Sequence, residues 1–391
     1  MRARGFYLRS ASATLTFFRL VTMNQPAKIS ILLPCLNARA YLKPRIDSLL
    51  AQTCTDWEAI VLDSHSTDGS WEFFRSIALA DPRFRLYQIP REGVYAALNR
   101  GMELASGEFL LIATCDDTMH ADFLATLLEA FTICPEAGIA ACDVSLINGD
   151  GKQLTREDVA SYLPAESVDD MLALDVVRSY PITHNPNYRP PPHDCLLHFS
   201  AKSVYFSLTQ LLIRTSLAQS AEPFDTTVGS VADLGWLIRL TNLAGTVHVP
   251  RKLTMWRFHG NQVSVRQDSS QLGCLKAMFG RALPEIYERH HSLLTRNDCA
   301  ALMLPIKCYL ASTTPKRVFW WLDATFRIFL MLIQRPVATL RAIRASRFLP
   351  HNVKRSLLPM FLQRMEMFPK TFDSLEVRSM LREISSGPEV V

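Results

Sequence analysis

No C-x-x-C pair occurs among the nine cysteines of this chain, which are scattered at positions 35, 54, 115, 134, 142, 195, 274, 299 and 308. An odd, dispersed set offers neither a disulfide framework nor a zinc knuckle, and it indicates a reducing compartment. Also missing are G-x-G-x-x-G and G-x-x-x-x-G-K-[ST]. Dinucleotide folds and P-loops need those glycines so that backbone N–H groups can approach phosphates. A phosphate-bearing ligand of this chain must therefore be neutralised by a metal or by cationic side chains. There is no internal repeat and no low-complexity tract. The longest apolar candidate, VFWWLDATFRIFLMLI, is interrupted by Asp323 and Arg327 and is short for a bilayer span.

The 391 residues are 48% hydrophobic, 20% charged and 9% aromatic, which excludes a disordered or collagen-like chain. That length accommodates one large domain with an appendage, or two domains. The net charge of +5 is too small to argue for nucleic acid. Its distribution is uneven. From Lys307 to Lys370 twelve lysines and arginines face only Asp323 and Glu366, so the rest of the chain is acidic overall. At the other end, residues 1–27 carry arginines and serines but no acid, and Arg19 breaks their apolar stretch. They read as a disordered or upstream-start extension ahead of Met23, with a targeting peptide as the alternative.

Between these ends, short apolar runs alternate with helical patterns. ISILLPCL (29–36) suits a buried parallel strand. A helix follows over 41–52, then strand 58–63, a helix from about Ser70, a strand over 84–88, a helix over 95–105 and a strand over 108–114. Alternation of this kind predicts an α/β fold, a mostly parallel sheet with flanking helices. Ligands of such sheets sit beyond the C-terminal strand ends, and Asn37, Asp63 and Asp116 share that address. From Gly149 to about Phe206 the pattern breaks into a polar, proline-rich connection that includes PITHNPNYRPPPHD. Periodicity returns in LTQLLIRTSL (208–217). DLGWLIRLTNLAG (233–245) reads as a helix ending at Gly245, followed by the strand-like TVHVP and by KLTMWRFHGNQVS. Everything beyond Ser264 reads as helical.

Four acids and a histidine could carry chemistry. Asp116 and Asp117 follow an apolar strand, and Mg2+ or Mn2+ is commonly held by one or two carboxylates plus substrate phosphates. Alternatively, Asp117 or Thr118 caps a helix beginning near His120. Asp63 could accept the N3–H of a pyrimidine base or close an Asx-turn. Asp233 stands where a loop meets a helix and could be a base or an N-cap. His259 could be a metal ligand or a satisfied loop histidine.

Taken together, ISILLPCLN, SLLAQT, EAIVLDSHSTDGS, GVYAALNRGMELASGEFLLIATCDD, PFDTTVGSVADLGWLIRL and RFHGNQVS resemble, in order and spacing, the inverting glycosyltransferases of family 2. The resemblance covers roughly residues 28 to 265, and GVYAALNRG and VADLGW look most like the branch that builds bacterial exopolysaccharide and lipopolysaccharide-type glycans. It implies the GT-A fold, a Rossmann-like sheet, over 28–268, with 151–206 an irregular acceptor-side insertion. Residues 269–391 would then be a helical, basic extension.

The same resemblance implies roles. Asp63 matches the acid that contacts the uracil of a UDP-sugar, and Asp116 the metal-binding acid of the D-x-D element. Asp233 matches the catalytic base and His259 the histidine near the donor diphosphate. Pro34, Asn37, Asn99, Arg100 and Asp117 fall where the family approaches the donor. Two departures stand out. Thr114 occupies the first D-x-D position, and Ser64 and His65 follow Asp63 where an acid or glycine is usual.

The implied activity is transfer of a sugar from a nucleotide-sugar donor, a UDP-sugar, with Mg2+ or Mn2+, to a glycan or lipid-linked acceptor in cell-surface polysaccharide synthesis. Inversion requires one carboxylate to deprotonate the acceptor, so Asp233 suffices; a covalent retaining route would want a second carboxylate nearby. The alternative is a degenerate GT-A-like module that binds glycan or nucleotide without turnover. RVFWWLDATFRIFLMLIQRPVATLRAIRASRFL (317–349), apolar with interleaved arginines, reads as an interfacial helix on an anionic membrane. The alternative for that segment is a helical appendage with a basic solvated face. The expected location is cytoplasmic, at the cytoplasmic face of the inner membrane.

Overall fold

The computed structural model describes residues 27–155, 186–195, 207–259 and 271–292, together with a few single positions outside these stretches. The N-terminal extension, most of the 151–206 insertion, residues 260–264 and nearly all of the 317–349 segment lie outside the described residues.

The sheet begins as the apolar runs predict. β1 (Ile29–Cys35), β2 (Trp57–Asp63), β3 (Phe84–Gln88) and β4 (Phe109–Ile112) are parallel, in the order β3-β2-β1-β4. β2 is buried along its whole length, as a strand covered on both faces must be. Between them run α1 (Arg39–Leu50), α2 (Ser70–Ala80) and α3 (Val94–Leu104).

Beyond β4 the sheet becomes mixed. β8 (Leu211–Arg214) pairs antiparallel with both β4 and β6 (Ile139–Ile147). β9 (Thr246–Arg257) runs parallel to β6, while β5 (Thr118–Met119) and β7 (Asn187–Arg189) pair antiparallel with β9. The periodic run 208–217 thus contains a central strand. LLIR is buried between two neighbours and is followed at once by α5 (Thr215–Ser220). TVHVP and KLTMWR are one continuous strand rather than two. The register against β6 shifts at Cys142 and Asp143, opposite the stretch that contains Pro250, where a bulge tolerates a residue that cannot donate to the ladder.

Apolar clusters form on both faces. One packs α1, α2 and α4 (Phe123–Ile133) against one side of the sheet; the other packs α3, α5 and α6 (Ala232–Leu243) against the opposite side. Each fully buried Leu, Ile or Phe contributes about 1.5–3 kcal/mol relative to exposure. Gly101 lets α3 lie close, because a Cβ there would sit 2.7 Å from Leu62 Cδ1 and 3.1 Å from Leu32. α7 (Gln271–His290) packs on α6: a Cβ on Gly235 would fall 2.7 Å from Met278 Sδ, and His290 Nε2 lies 3.0 Å from Asn242 Oδ1. Among the described residues, no helix is long and apolar enough to cross a membrane.

Candidate active site

The parallel strands deliver their C-terminal ends to one edge, and three groups of side chains collect there. The first surrounds Asp63, the last residue of β2, which is fully buried. Its Oδ2 accepts the backbone N–H of Ser66 at 3.1 Å and Nε2 of Gln88 at 3.5 Å. Its Oδ1 is buried and has no partner among the described residues. The Ser66 contact is the Asx-turn geometry, so that reading and a ligand contact coexist on different oxygens.

The loop after Asp63 is cross-braced to the loop after β1. Asn37 adopts a left-handed φ of 52°, and its Oδ1 accepts the Thr67 N–H at 2.8 Å while its own N–H donates to Ser66 Oγ at 2.9 Å. Asp68 accepts from Arg39 N at 2.8 Å and from Ser70 N and Oγ. Burial pushes the Asp68 carboxyl up, but those donors outweigh it and hold the group below its ordinary range. Pro34 lies in β1, and its carbonyl accepts from Cys115 Sγ at 3.2 Å.

The second group is the acid pair. Asp116 is partly exposed, and its Oδ2 lies 3.0 Å from Nε2 of His259. Burial raises the Asp116 carboxyl, whereas His259 and the Thr114 hydroxyl lower it, and the net direction is down. The His259 ring stacks on Tyr41 of α1 with centroids 4.7 Å apart.

Asp117 has a different task from the donor contact expected of it. It is fully buried and serves as a hub, accepting Ser207 Oγ at 2.7 Å, Thr209 Oγ1 at 3.3 Å and the backbone N–H of Arg257 at 3.0 Å. Both oxygens are therefore occupied by protein donors. Burial, then the neighbouring Asp116 charge, pushes Asp117 up to about 6. The capping alternative fails as well, since Thr118 is in β5 and α4 begins only at Phe123.

Two buried arginines grip this acid loop, and sequence reasoning missed both. Arg45 of α1 is fully buried; its Nε donates to the Thr114 carbonyl at 2.7 Å, and its terminal nitrogens have no hydrogen-bond partner among the described residues. Arg257 Nε donates to the Asp116 carbonyl at 2.7 Å, and its Nη1 reaches the carbonyls of Asn148 and Gly149. Arg45 was detectable as a cation inside the apolar stripe Leu42, Ile46, Leu49 of its helix, a position that costs free energy unless something compensates it.

The third group centres on Asp233, in the first turn of α6. The N-cap of that helix is Val231, so the capping alternative does not hold; Asp233 Oδ1 accepts the N–H of the next residue, Leu234, at 2.6 Å. Burial pushes its carboxyl up to about 6. Tyr95, at the start of α3, donates its hydroxyl to Ser230 O at 3.1 Å, which ties this loop to the same edge of the sheet. Burial and then the Asp233 charge push the tyrosine hydroxyl well up.

Two residues expected at the donor have partners within the protein. Asn99 is a clamp: its Nδ2 donates to Phe224 O at 3.0 Å and its Oδ1 accepts Phe224 N at 2.9 Å, so both polar atoms are engaged. Arg100 is exposed and pairs with Glu92 at 2.5 Å.

The residues present fit a divalent cation as a small protein contribution. Among the described residues no group of three His, Cys, Asp or Glu side chains could hold a metal. Asp116 and His259 nevertheless juxtapose a carboxylate and an imidazole at an accessible edge, and Mg2+ or Mn2+ sites of this kind take their remaining ligands from water and substrate phosphates.

Part of the chain is similar to known glycosyltransferases. Residues 30–185 match the family Glycosyl transferase family 2. A PGL/p-HBAD biosynthesis glycosyltransferase of Mycobacterium bovis is 39% identical over 98 residues, which cover 25% of this chain and 38% of that protein. The putative glycosyltransferase EpsH of Bacillus subtilis is 28% identical over 138 residues, 35% of this chain and 39% of its own length. The matches therefore span well under two thirds of these relatives. The structure of S. aureus TarS 1-349 in complex with UDP-GlcNAc superposes with a TM-score of 0.51 at 13% identity, covering 87% of this chain and 88% of that one, a likeness of fold. The likeness to glycosyl transferase family 2 thus rests on residues 30–185 of this chain.

Proposed function

We propose that the protein transfers a sugar from a nucleotide-sugar donor, a UDP-sugar, to the hydroxyl of a glycan or lipid-linked acceptor with inversion, in cell-surface polysaccharide synthesis. The observation that carries this reading is the state of Asp233. It is a half-buried carboxylate raised to about 6, with one oxygen engaged by a backbone N–H and the other without a hydrogen-bond partner among the described residues. A general base is most effective when its pKa lies near the working pH.

In this mechanism Asp233 accepts the proton of the acceptor hydroxyl as that oxygen attacks the anomeric carbon. The bond to the nucleoside diphosphate breaks on the opposite face, which inverts the configuration. Asp63 binds the base through its uncommitted oxygen, and the braced loops around Asn37 hold that carboxylate in place. Arg45 and Arg257 fix the backbone of the 114–117 loop so that Asp116 faces the donor. Mg2+ or Mn2+, held by Asp116 and His259, would supply Lewis-acid stabilisation of the leaving diphosphate.

The Lys/Arg-rich stretch from Lys307 to Lys370 supports peripheral association with an anionic membrane, where a lipid-linked acceptor would lie. Thr114 at the first D-x-D position is the observation that favours the alternative of a binding module without turnover. Assay of UDP-sugar hydrolysis and transfer with added Mn2+ separates the two. The transferase should release UDP above background, and binding with no turnover would establish the module.

A further inference from the structure

Resting on the reading of Asp233 as the base, we propose that Tyr95 and Asn99 of α3 are positioning residues for that carboxylate. Together they fix the start of α6, so that Asp233 meets the acceptor oxygen in one geometry. α6 does little to fix its own start. Its N-cap, Val231, has no side-chain oxygen to offer, and among the described residues no side chain caps either α6 or the 3-10 turn Gly229–Val231 that precedes it. An N-terminus of this kind leaves its first N–H groups without the bond that would pin it. Residues 222–225, which lead into the turn, form neither helix nor strand. The bond from Leu234 N–H holds the Asp233 carboxylate against α6, but it does not hold α6 against the sheet.

The missing restraint comes from α3. Tyr95 and Asn99 stand four residues apart on that helix and so share a face. Asn99 grips Phe224 by both backbone groups, with Nδ2 donating to its carbonyl at 3.0 Å and Oδ1 accepting its N–H at 2.9 Å. The Tyr95 hydroxyl donates to Ser230 O at 3.1 Å, three residues before Asp233. The Tyr95 ring lies 5.4 Å from the Phe224 ring, which lies 4.5 Å from Trp236, three residues after Asp233. The chain before the carboxylate and the helix after it therefore both lead back to the same two side chains. Phe224 and Trp236 are buried, and close packing leaves that row no room to slide. Arg239 of α6 adds a third tie, donating from Nη2 to Glu222 O at 3.2 Å and Pro223 O at 2.7 Å. Burial and then the Asp233 charge push the Tyr95 hydroxyl well up, so it remains a protonated donor while Asp233 ionises.

Placement matters because a base must come within about 2.6–3.2 Å of the proton it takes. A misplacement of about 1 Å can cost about 100-fold in rate. Donor affinity makes no such demand on this clamp. The resemblance sets Asn99 at the donor, yet both of its polar side-chain atoms are committed to Phe224, which leaves it a scaffold for the base.

The test measures UDP release from UDP-glucose and UDP-GlcNAc, with water as the acceptor, and UDP affinity by calorimetry. It uses the full chain as wild type, Tyr95→Phe, Asn99→Ala, Asp233→Asn and the double variant Tyr95→Phe with Asp233→Asn. Tyr95→Phe keeps the ring stack and removes only the hydroxyl. It should lower kcat about tenfold or more while KM and UDP affinity stay within about twofold of wild type, and Asn99→Ala should do the same. In the Asp233→Asn background Tyr95→Phe should change the residual rate by less than about twofold, because a residue that acts through another has nothing left to position. A role confined to stability would lower the rate by the same factor in both backgrounds. Wild-type turnover in Tyr95→Phe, weakened UDP binding in Asn99→Ala, or an equal loss with and without the Asp233 carboxylate would overturn the inference and leave Asp233 as the base. A fully active Asp233→Asn protein, or a wild type that releases no UDP from either sugar nucleotide, would overturn the base reading and the inference with it.

Discussion

His259 Nε2 lies 3.0 Å from Asp116 Oδ2, although the two residues are 143 positions apart in the chain. β9 makes the contact possible. It pairs with β5 immediately after the acid loop, so the residues that follow its C-terminal end arrive beside Asp116. Two side chains with little individual claim to a ligand role thereby become a pair at the C-terminal edge of the parallel strands. Asp116→Asn should weaken Mn2+-dependent UDP binding on the order of tenfold, because it removes the charge from a hard-cation site whose other acid position is Thr114. Calorimetry with and without Mn2+ checks this. UDP affinity that ignores Mn2+ in both proteins would exclude the metal assignment.

Asp233→Asn should lower transfer by about two to four orders of magnitude while leaving UDP-sugar affinity near wild type, since the amide keeps the shape but cannot accept the proton. A fully active Asp233→Asn enzyme would rule out Asp233 as the base.

The pH dependence of the same residue has a definite sign. Burial raises the Asp233 carboxyl to about 6 in the folded state from an ordinary value of 3.8. The ionised form is the base, so kcat should rise as pH increases through about 6 and reach a plateau above it. Stability runs the other way. The folded state disfavours the ionised carboxylate, so the penalty is absent below 3.8, grows between the two values and is complete above about 6. Asp233→Asn removes that penalty and should leave the melting temperature at pH 8 unchanged or higher. A rate that falls as pH rises through 6 would contradict the assignment.

Gly107→Ala should destabilise the fold by about 1–3 kcal/mol. A Cβ there would lie 2.7 Å from Ser30 N, 2.9 Å from Ala27 O and 2.9 Å from Ile29 C, all backbone atoms that cannot swing aside. Gly149→Ala is the matched control, because nothing lies within 4 Å of its added Cβ. Denaturant midpoints of the two variants compare them; equal stabilities would show that the close approach at Gly107 is absent.

Removal of residues 307–391 should release the protein from anionic liposomes. Each well-placed Lys or Arg near such a surface contributes about 1 kcal/mol, and salt screens the attraction. Co-sedimentation that survives truncation, or that ignores salt and lipid charge, would refute the anchor.

Local pattern was enough to read the first half of the sheet. Apolar runs such as EAIVLD have one stable solution, burial on both faces, and the helical stripes between them fix a parallel order and hence a shared edge for Asn37, Asp63 and Asp116. The antiparallel half was not legible. LLIR is short and apolar, and such a run fits a helix or a strand until its neighbours are known. Its place between β4 and β6 depends on strands distant from it in sequence.

For the site, the sequence by itself determined which residue types stand at strand ends and helix starts, and therefore which acids could carry chemistry. Only the tertiary structure decided how each acid is employed. Asp116 and Asp117 are adjacent and chemically identical, yet one faces His259 at an accessible edge and the other is consumed by Ser207, Thr209 and Arg257. Asn99, expected at the donor, is spent on Phe224, and Arg45, unremarked in the sequence, lies fully buried beneath the acid loop. The physical reason is common to all of them. A polar side chain's function depends on which of its hydrogen-bonding positions remain unfilled after folding, and the partners that fill them come from segments about 70 to 140 residues away.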